Sequence, residues 1–224
     1  MTVRFVAWHR FFTFLFLVPL FLVSLPLAAH AAGHDVALVT ALSGKVVRIE
    51  GGRREPLQAF VKLRQGDFLA LEEGARIELV FFSSRRQEDW RGTGRLEIAE
   101  DGGRGLGLEP PAQKTLPDVM VRQMAKTPAL DSQGRAGVVR LRAFATPEAL
   151  ARLENDYRRM RMEVARNDLN PEIFLLASLL EMRQADRLEA ALSDLQMSHQ
   201  GNTEAGLLVS LYRRALKDLR EGGQ

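Results

Sequence analysis

The chain contains no cysteine. That excludes disulfide staples, thiolate metal sites and a lipid-modified cysteine behind a leader, so stability has to come from an ordinary apolar core. Histidine is nearly as scarce. His9, His30, His34 and His199 are the whole set, and none stands in an H-x-x-H or H-E-x-x-H spacing or beside a carboxylate cluster, so no metal site is expected. Ser43, Ser83 and Ser84 have no histidine partner near them, which argues against a Ser-His-Asp arrangement. No Asp or Glu precedes Asp35. A basic stripe is also lacking. Arg4 and Arg10 account for two of the 31 basic residues, which leaves 29 against 28 acidic ones, interleaved along the chain. The sequence pI of about 9.6 is therefore no argument for nucleic-acid binding.

What the amino-terminal end does contain is a charged start, an almost purely apolar run from Phe11 to Leu27, and a small-residue exit, Ala28-Ala29-His30-Ala31-Ala32. This is the layout of a secretory signal over residues 1–32, with cleavage after Ala31 or Ala32. The alternative is an uncleaved anchor, because Phe11 to Ala29 is 19 residues, long enough to span a bilayer. Pro19 and Pro26 favour cleavage. Both readings place the rest of the 224-residue chain outside the cytoplasm, in the periplasm or anchored facing it.

From Asp35 to about Leu108 short apolar runs alternate with turn residues. Val36 to Leu42, Val46 to Ile49, Leu57 to Leu63, Phe68 to Leu71 and Arg76 to Phe82 are separated by Ser43-Gly44, Gly51-Gly52, Gly66-Asp67 and Glu73-Gly74, and Arg95 to Ala99 is closed by Asp101-Gly102-Gly103. Arg76-Ile77-Glu78-Leu79 alternates strictly, with Ile77 and Leu79 toward a core and Arg76 and Glu78 toward water. Short strands at this spacing indicate a small antiparallel sandwich or barrel over 35–109. Gly102 to Gly107 is no phosphate loop, since no helix and no Lys-Ser/Thr follow it. Residues 110–145 read as a connector with one helical turn, and Arg135 to Arg142 as an additional strand or linker.

At Thr146 the period becomes helical. Thr146 is an N-cap with Pro147 behind it, and Leu150, Leu153, Tyr157, Met160 and Val164 share a face. Asn170-Pro171-Glu172, Ala185 and Asn202-Thr203-Glu204 open three more helices, the last ending before Gly222-Gly223. The fold class is therefore α+β: a small antiparallel β domain followed by an all-helical domain over 146–221. The two Asn-x-Glu starts lie 32 residues apart, close to the 34-residue tetratricopeptide repeat. Tetratricopeptide-like stacking and a plain four-helix unit both fit this pattern.

The β half resembles the FecR-like periplasmic domain over about residues 39–99. The resemblance rests on Val39-Thr40-Ala41-Leu42-Ser43-Gly44-Lys45-Val46, on Leu63-Arg64-Gln65-Gly66-Asp67-Phe68-Leu69 and on Glu73-Gly74-Ala75-Arg76-Ile77-Glu78-Leu79-Val80-Phe81. Many members carry a short D-G-S hairpin after the last of these strands, where Phe82 to Gly92 stands here. The resemblance implies a periplasmic β module. It does not carry over the sigma-factor relay of the best-known members, which uses a cytoplasmic amino-terminal segment.

These features predict a non-enzymatic exported interaction or scaffold module that binds another envelope protein or a cell-wall saccharide, with no cofactor. A regulator of a membrane-bound signalling system and an envelope hydrolase or transferase are the alternatives. The latter would need a convergent His or carboxylate cluster. Candidate contact residues are Trp90, on a polar stretch, and Tyr212 with Arg213 in the last helix, because aromatic and Arg side chains carry most interface energy. Trp90 also reads as a core plug, and Phe174 as core in a helix buried on two sides. The run Arg158-Arg159-Met160-Arg161-Met162 reads as a solvated face paired with Glu154, Asp156 and Glu163.

Overall fold

Ten strands and five helices follow one another in a computed structural model that describes residues 34–128 and 145–221. The strands are β1 (Asp35–Ser43), β2 (Val46–Glu50), β3 (Arg53–Pro56), β4 (Lys62–Arg64), β5 (Phe68–Leu71), β6 (Arg76–Phe81), β7 (Arg86–Arg91), β8 (Gly94–Ile98), β9 (Gly103–Leu106) and β10 (Ala112–Thr115). They form two antiparallel sheets, β10-β7-β6-β1-β4 and β3-β2-β5-β8-β9. Gly51 and Gly52, both at positive φ, close the two-residue β2–β3 hairpin as its twist requires.

The alternation read from the sequence sets the sandwich interior. Ile77, Leu79 and Phe81 of β6 meet Leu69, Leu71, Leu96 and Ile98 of the second sheet in one apolar cluster. Trp90 plugs this interior and is 4% exposed. The glycines of β9 exist to admit it. A Cβ on Gly105 would lie 2.5 Å from Trp90 Cζ3, and one on Gly103 would lie 3.0 Å from Cζ2. The Gly-rich stretch is thus a strand laid flat against an indole.

The helices are α1 (Asp118–Met124), α2 (Pro147–Glu163), α3 (Asn170–Glu181), α4 (Ala185–Ser198) and α5 (Thr203–Glu221). Where the sequence suggests a connector, β10 adds an edge strand to β7, and α1 packs on α3. The strand suggested near Arg135–Arg142 lies outside the described residues. Thr146 caps α2, its Oγ1 accepting from the Ala149 N–H. The two Asn-x-Glu starts are not equivalent. Asn202 caps α5 by accepting from the Ala205 N–H at 2.8 Å, whereas the N-cap of α3 is Leu169 and Asn170 points elsewhere.

The outer face of the first sheet is not open to water, as alternation alone suggests, but roofed by helices. Register aligns Lys114, Gln87, Val80, Leu38 and Lys62 in one row across all five strands. The middle of the row is apolar, and Leu38 and Val80 belong to the same cluster as Met120, Met124, Ile173, Leu208 and Tyr212. Its ends are polar and reach over to the helices. Lys62 Nζ donates to the Ala125 carbonyl at 2.7 Å, and Lys114 Nζ donates to Asp168 Oδ2 at 3.0 Å. No helix of the described residues is long and apolar enough to cross a membrane.

Candidate functional site

Beside that row the roof stops, and a polar cleft of about 290 Å³ opens between the first sheet and the loop joining α2 to α3. Its walls come from Thr40, Arg76, Glu78, Gln87 and Lys114 on the sheet side, and from Asn167, Asp168 and Asn170 on the helical side. Asn202 and Glu204, at the start of α5, close one end.

Pairing places the sheet residues. Glu78 of β6 lies opposite Asp89 of β7 and Ala41 of β1. Arg76 donates to Asp89 Oδ1 at 2.8 Å and Oδ2 at 3.1 Å, and also to Glu78. Gln87 Nε2 donates to Glu78 Oε2 at 2.7 Å, and Asn170 Nδ2 donates to Gln87 Oε1 at 2.7 Å. A continuous chain of donors therefore runs from the helical layer to a carboxylate on the sheet. Burial of a hydrogen-bonded amide pair of this kind fixes how two layers meet, since either partner alone would be left unsatisfied.

The loop is held by Arg161. Its guanidinium donates to both Glu172 oxygens, at 3.1 and 2.9 Å, and to the carbonyls of Asp168 and Val164, at 2.8 and 3.3 Å, and Ala165. The Arg158–Met162 run is accordingly not uniformly solvated. Arg159 pairs with Asp156 at 2.6 Å on the surface, while Arg161 turns inward to pin 164–168. Tyr157 donates to the same Glu172, and burial, together with that carboxylate, pushes its hydroxyl up to about 12. His199 bonds the loop from the other side through Nε2 and the Arg166 carbonyl, with Ser198 Oγ on Nδ1.

Burial, opposed by Arg76, raises the Glu78 carboxyl above its ordinary range. At Asp89 burial acts the same way, but the bonds from Arg76 and Arg91 prevail and hold it below the usual value. Two neighbouring carboxylates thus diverge. A carboxyl raised on folding stabilises the fold fully below its unfolded value of 4.5, and that stability is lost as pH rises through the folded value. A Glu78→Gln variant, which cannot ionise, should therefore gain on the native chain as pH rises from the unfolded value of 4.5 through the raised folded one, read as a growing difference in urea midpoints. A difference that stays constant with pH would contradict the assignment.

The residues expected from sequence to contact a partner are not brought together. Trp90 lies inside the sandwich, with Nε1 donating to Glu88 Oε2 at 3.0 Å. Tyr212 is 0% exposed in the helical core, so its ring is not surface. Arg213 is exposed and donates to Gln196 Oε1 at 2.7 Å, on the groove between α4 and α5. Phe174 is core. The cleft residues escaped sequence reading because the alternation of β6 assigns Arg76 and Glu78 to bulk water. The available signal was Val80 on that same face, apolar where water would favour a polar residue. Among the described residues no group of three or more His, Asp or Glu is placed to hold a metal ion. No family model, curated protein or solved structure matches the chain.

Proposed function

We propose that the protein is an exported, non-catalytic interaction module of the cell envelope, and that it holds a polar peptide segment of its partner in the cleft between sheet and helices. The observation that carries this reading is the lining of the cleft. Side chains of both charge signs, Arg76 and Lys114 against Glu78, Asp168 and Glu204, alternate there with the amides of Gln87, Asn167, Asn170 and Asn202. Such a set offers donors and acceptors along a length of backbone and pairs with charged side chains of either sign. Among the described residues no aromatic ring lines the cleft, so the flat apolar face of a sugar finds no platform there, and a peptide is the better fit than a cell-wall saccharide. Support for export comes from Arg4, Arg10, the apolar run Phe11–Leu27 and the small residues behind it.

A photoreactive residue at Asn167, on the exposed rim of the cleft, tests this in envelope preparations. It should give a discrete adduct with a protein, and Lys114→Glu in the same chain should weaken that adduct at least several-fold. The same probe at exposed Met197 should give none. Equal labelling from both positions, or insensitivity to Lys114→Glu, would overturn the proposal.

A further inference from the structure

The two sheets are treated differently on their outer sides. The first is roofed by helices, while the second faces outward with an apolar, arginine-bearing surface. Register defines its membership. One row reads Pro56, Val47, Ala70, Arg95, Leu106, and the next reads Arg54, Ile49, Phe68, Glu97, Arg104. The opposite faces of these strands supply Val46, Leu69, Leu71, Leu96 and Ile98 to the sandwich interior, which settles the direction. Phe68 is 42% and Leu106 63% exposed, although both are large and apolar, while Val47 and Ala70 of the first row are buried, so the exposed apolar area is that of Phe68 and Leu106. Arg54, Arg95 and Arg104 are exposed too, and Glu97 is the only carboxylate among the ten residues.

From this surface we infer a docking face for an anionic phospholipid bilayer. Three arginines against one glutamate make it complementary to an anion. The ends of the second row, Arg54 and Arg104, are four inter-strand steps apart, roughly 19 Å. Charge spread this widely over one sheet face suits an extended surface of phosphates rather than a single small anion, and guanidinium forks bind phosphate bidentately. Phe68 and Leu106 supply the second signal, since a few cations or a little apolar area alone bind a membrane only marginally. The face is built by residues other than those of the cleft, so this inference stands whether or not a peptide occupies the cleft.

The test uses residues 33–224, a single compact unit that lacks the apolar run Phe11–Leu27, which would itself partition into lipid. Cosedimentation with vesicles of phosphatidylglycerol mixed with phosphatidylcholine should show binding that high salt reverses, and pure phosphatidylcholine should retain far less. The triple variant R54Q/R95Q/R104Q should lose on the order of 100-fold in partition coefficient. F68S should lose a smaller factor that salt does not alter. R152Q/R158Q/R159Q, the same charge change on exposed positions of α2, should bind as the native chain does. Absence of binding to the anionic vesicles, equal binding to both vesicle types, or equal loss in the α2 variant would each overturn the inference.

Discussion

Replacing Glu88 by alanine should cost about 3–5 kcal/mol of folding stability, a shift of about 2 M in the urea midpoint. Glu88 lies inside the sandwich at 1% exposure. Its Oε2 accepts from Trp90 Nε1 at 3.0 Å and from the Gly103 N–H at 2.9 Å. Its Oε1 accepts from Gln113 Nε2 at 3.3 Å and faces Arg86 at 3.5 Å. One carboxylate thus satisfies donors from β7, β9 and β10, and so ties the edge strands of both sheets together. Alanine would strand a buried indole N–H and a part-buried backbone N–H, and leave Arg86 without its carboxylate. The size of the effect comes from these abandoned donors rather than from the bonds themselves. Glu88→Gln keeps an acceptor and should lose clearly less. If Glu88→Ala shifted the midpoint no more than Glu73→Ala on an exposed turn, the role assigned to Glu88 would be wrong.

The second large effect is expected at Tyr212, and it separates two adjacent residues that the sequence pairs as a surface patch. Tyr212 is the largest fully buried side chain of the described residues. Its hydroxyl sits 3.5 Å from Thr127 Oγ1, at the limit of a hydrogen bond, and burial raises its ionisation well above the ordinary range. Tyr212→Ala opens a cavity between α5 and the segment after α1 and should cost about 3–5 kcal/mol, as aromatic truncations in cores do. Tyr212→Phe removes only the marginal bond and should cost less than about 1 kcal/mol. Arg213→Ala, one position along, about 100° round the helix and exposed, should stay within about 0.5 kcal/mol. Thermal unfolding of the three variants checks the order. A Tyr212→Ala protein as stable as Arg213→Ala would mean that the ring is not core.

Periodicity carries much of this architecture. The strands follow from alternation between turn residues, and the four long helices from their starts at Thr146-Pro147, Asn170-Pro171, Ala185 and Thr203. What alternation cannot show is what covers the second face of a sheet. Arg76 and Glu78 look solvated in isolation, and only the cross-strand neighbours Leu38 and Val80, 42 positions apart in the chain, reveal that a roof is present. Pairing of that kind is non-local, and its one short-range trace is Val80, apolar on the same face as Arg76 and Glu78. Tyr212 was legible in principle, because it falls i+4 from Leu208 and i−4 from Leu216 on the buried stripe of α5. Arg213 and Arg214 directly after it suggest a charged surface instead, and mask that period. Trp90 and the glycines of β9 are complementary in shape, but the register that joins them through Glu88 is a property of the folded sheets.

The roofed row has a consequence for the order in which the chain can be made safe. Synthesis delivers the amino-terminal half first. The strands that carry Leu38 and Val80 are complete dozens of residues before α3 and α5, which cover them, have emerged. During that interval the half-built protein shows a bare apolar strip flanked by Lys114 and Lys62, whose eventual partners, Asp168 and the Ala125 carbonyl, come later in the chain. The sandwich is therefore a provisional structure until the carboxyl-terminal helices arrive. A premature stop near residue 128 would leave a sticky, well-paired sheet rather than a harmless fragment, the sort of species that chaperones retain and proteases clear.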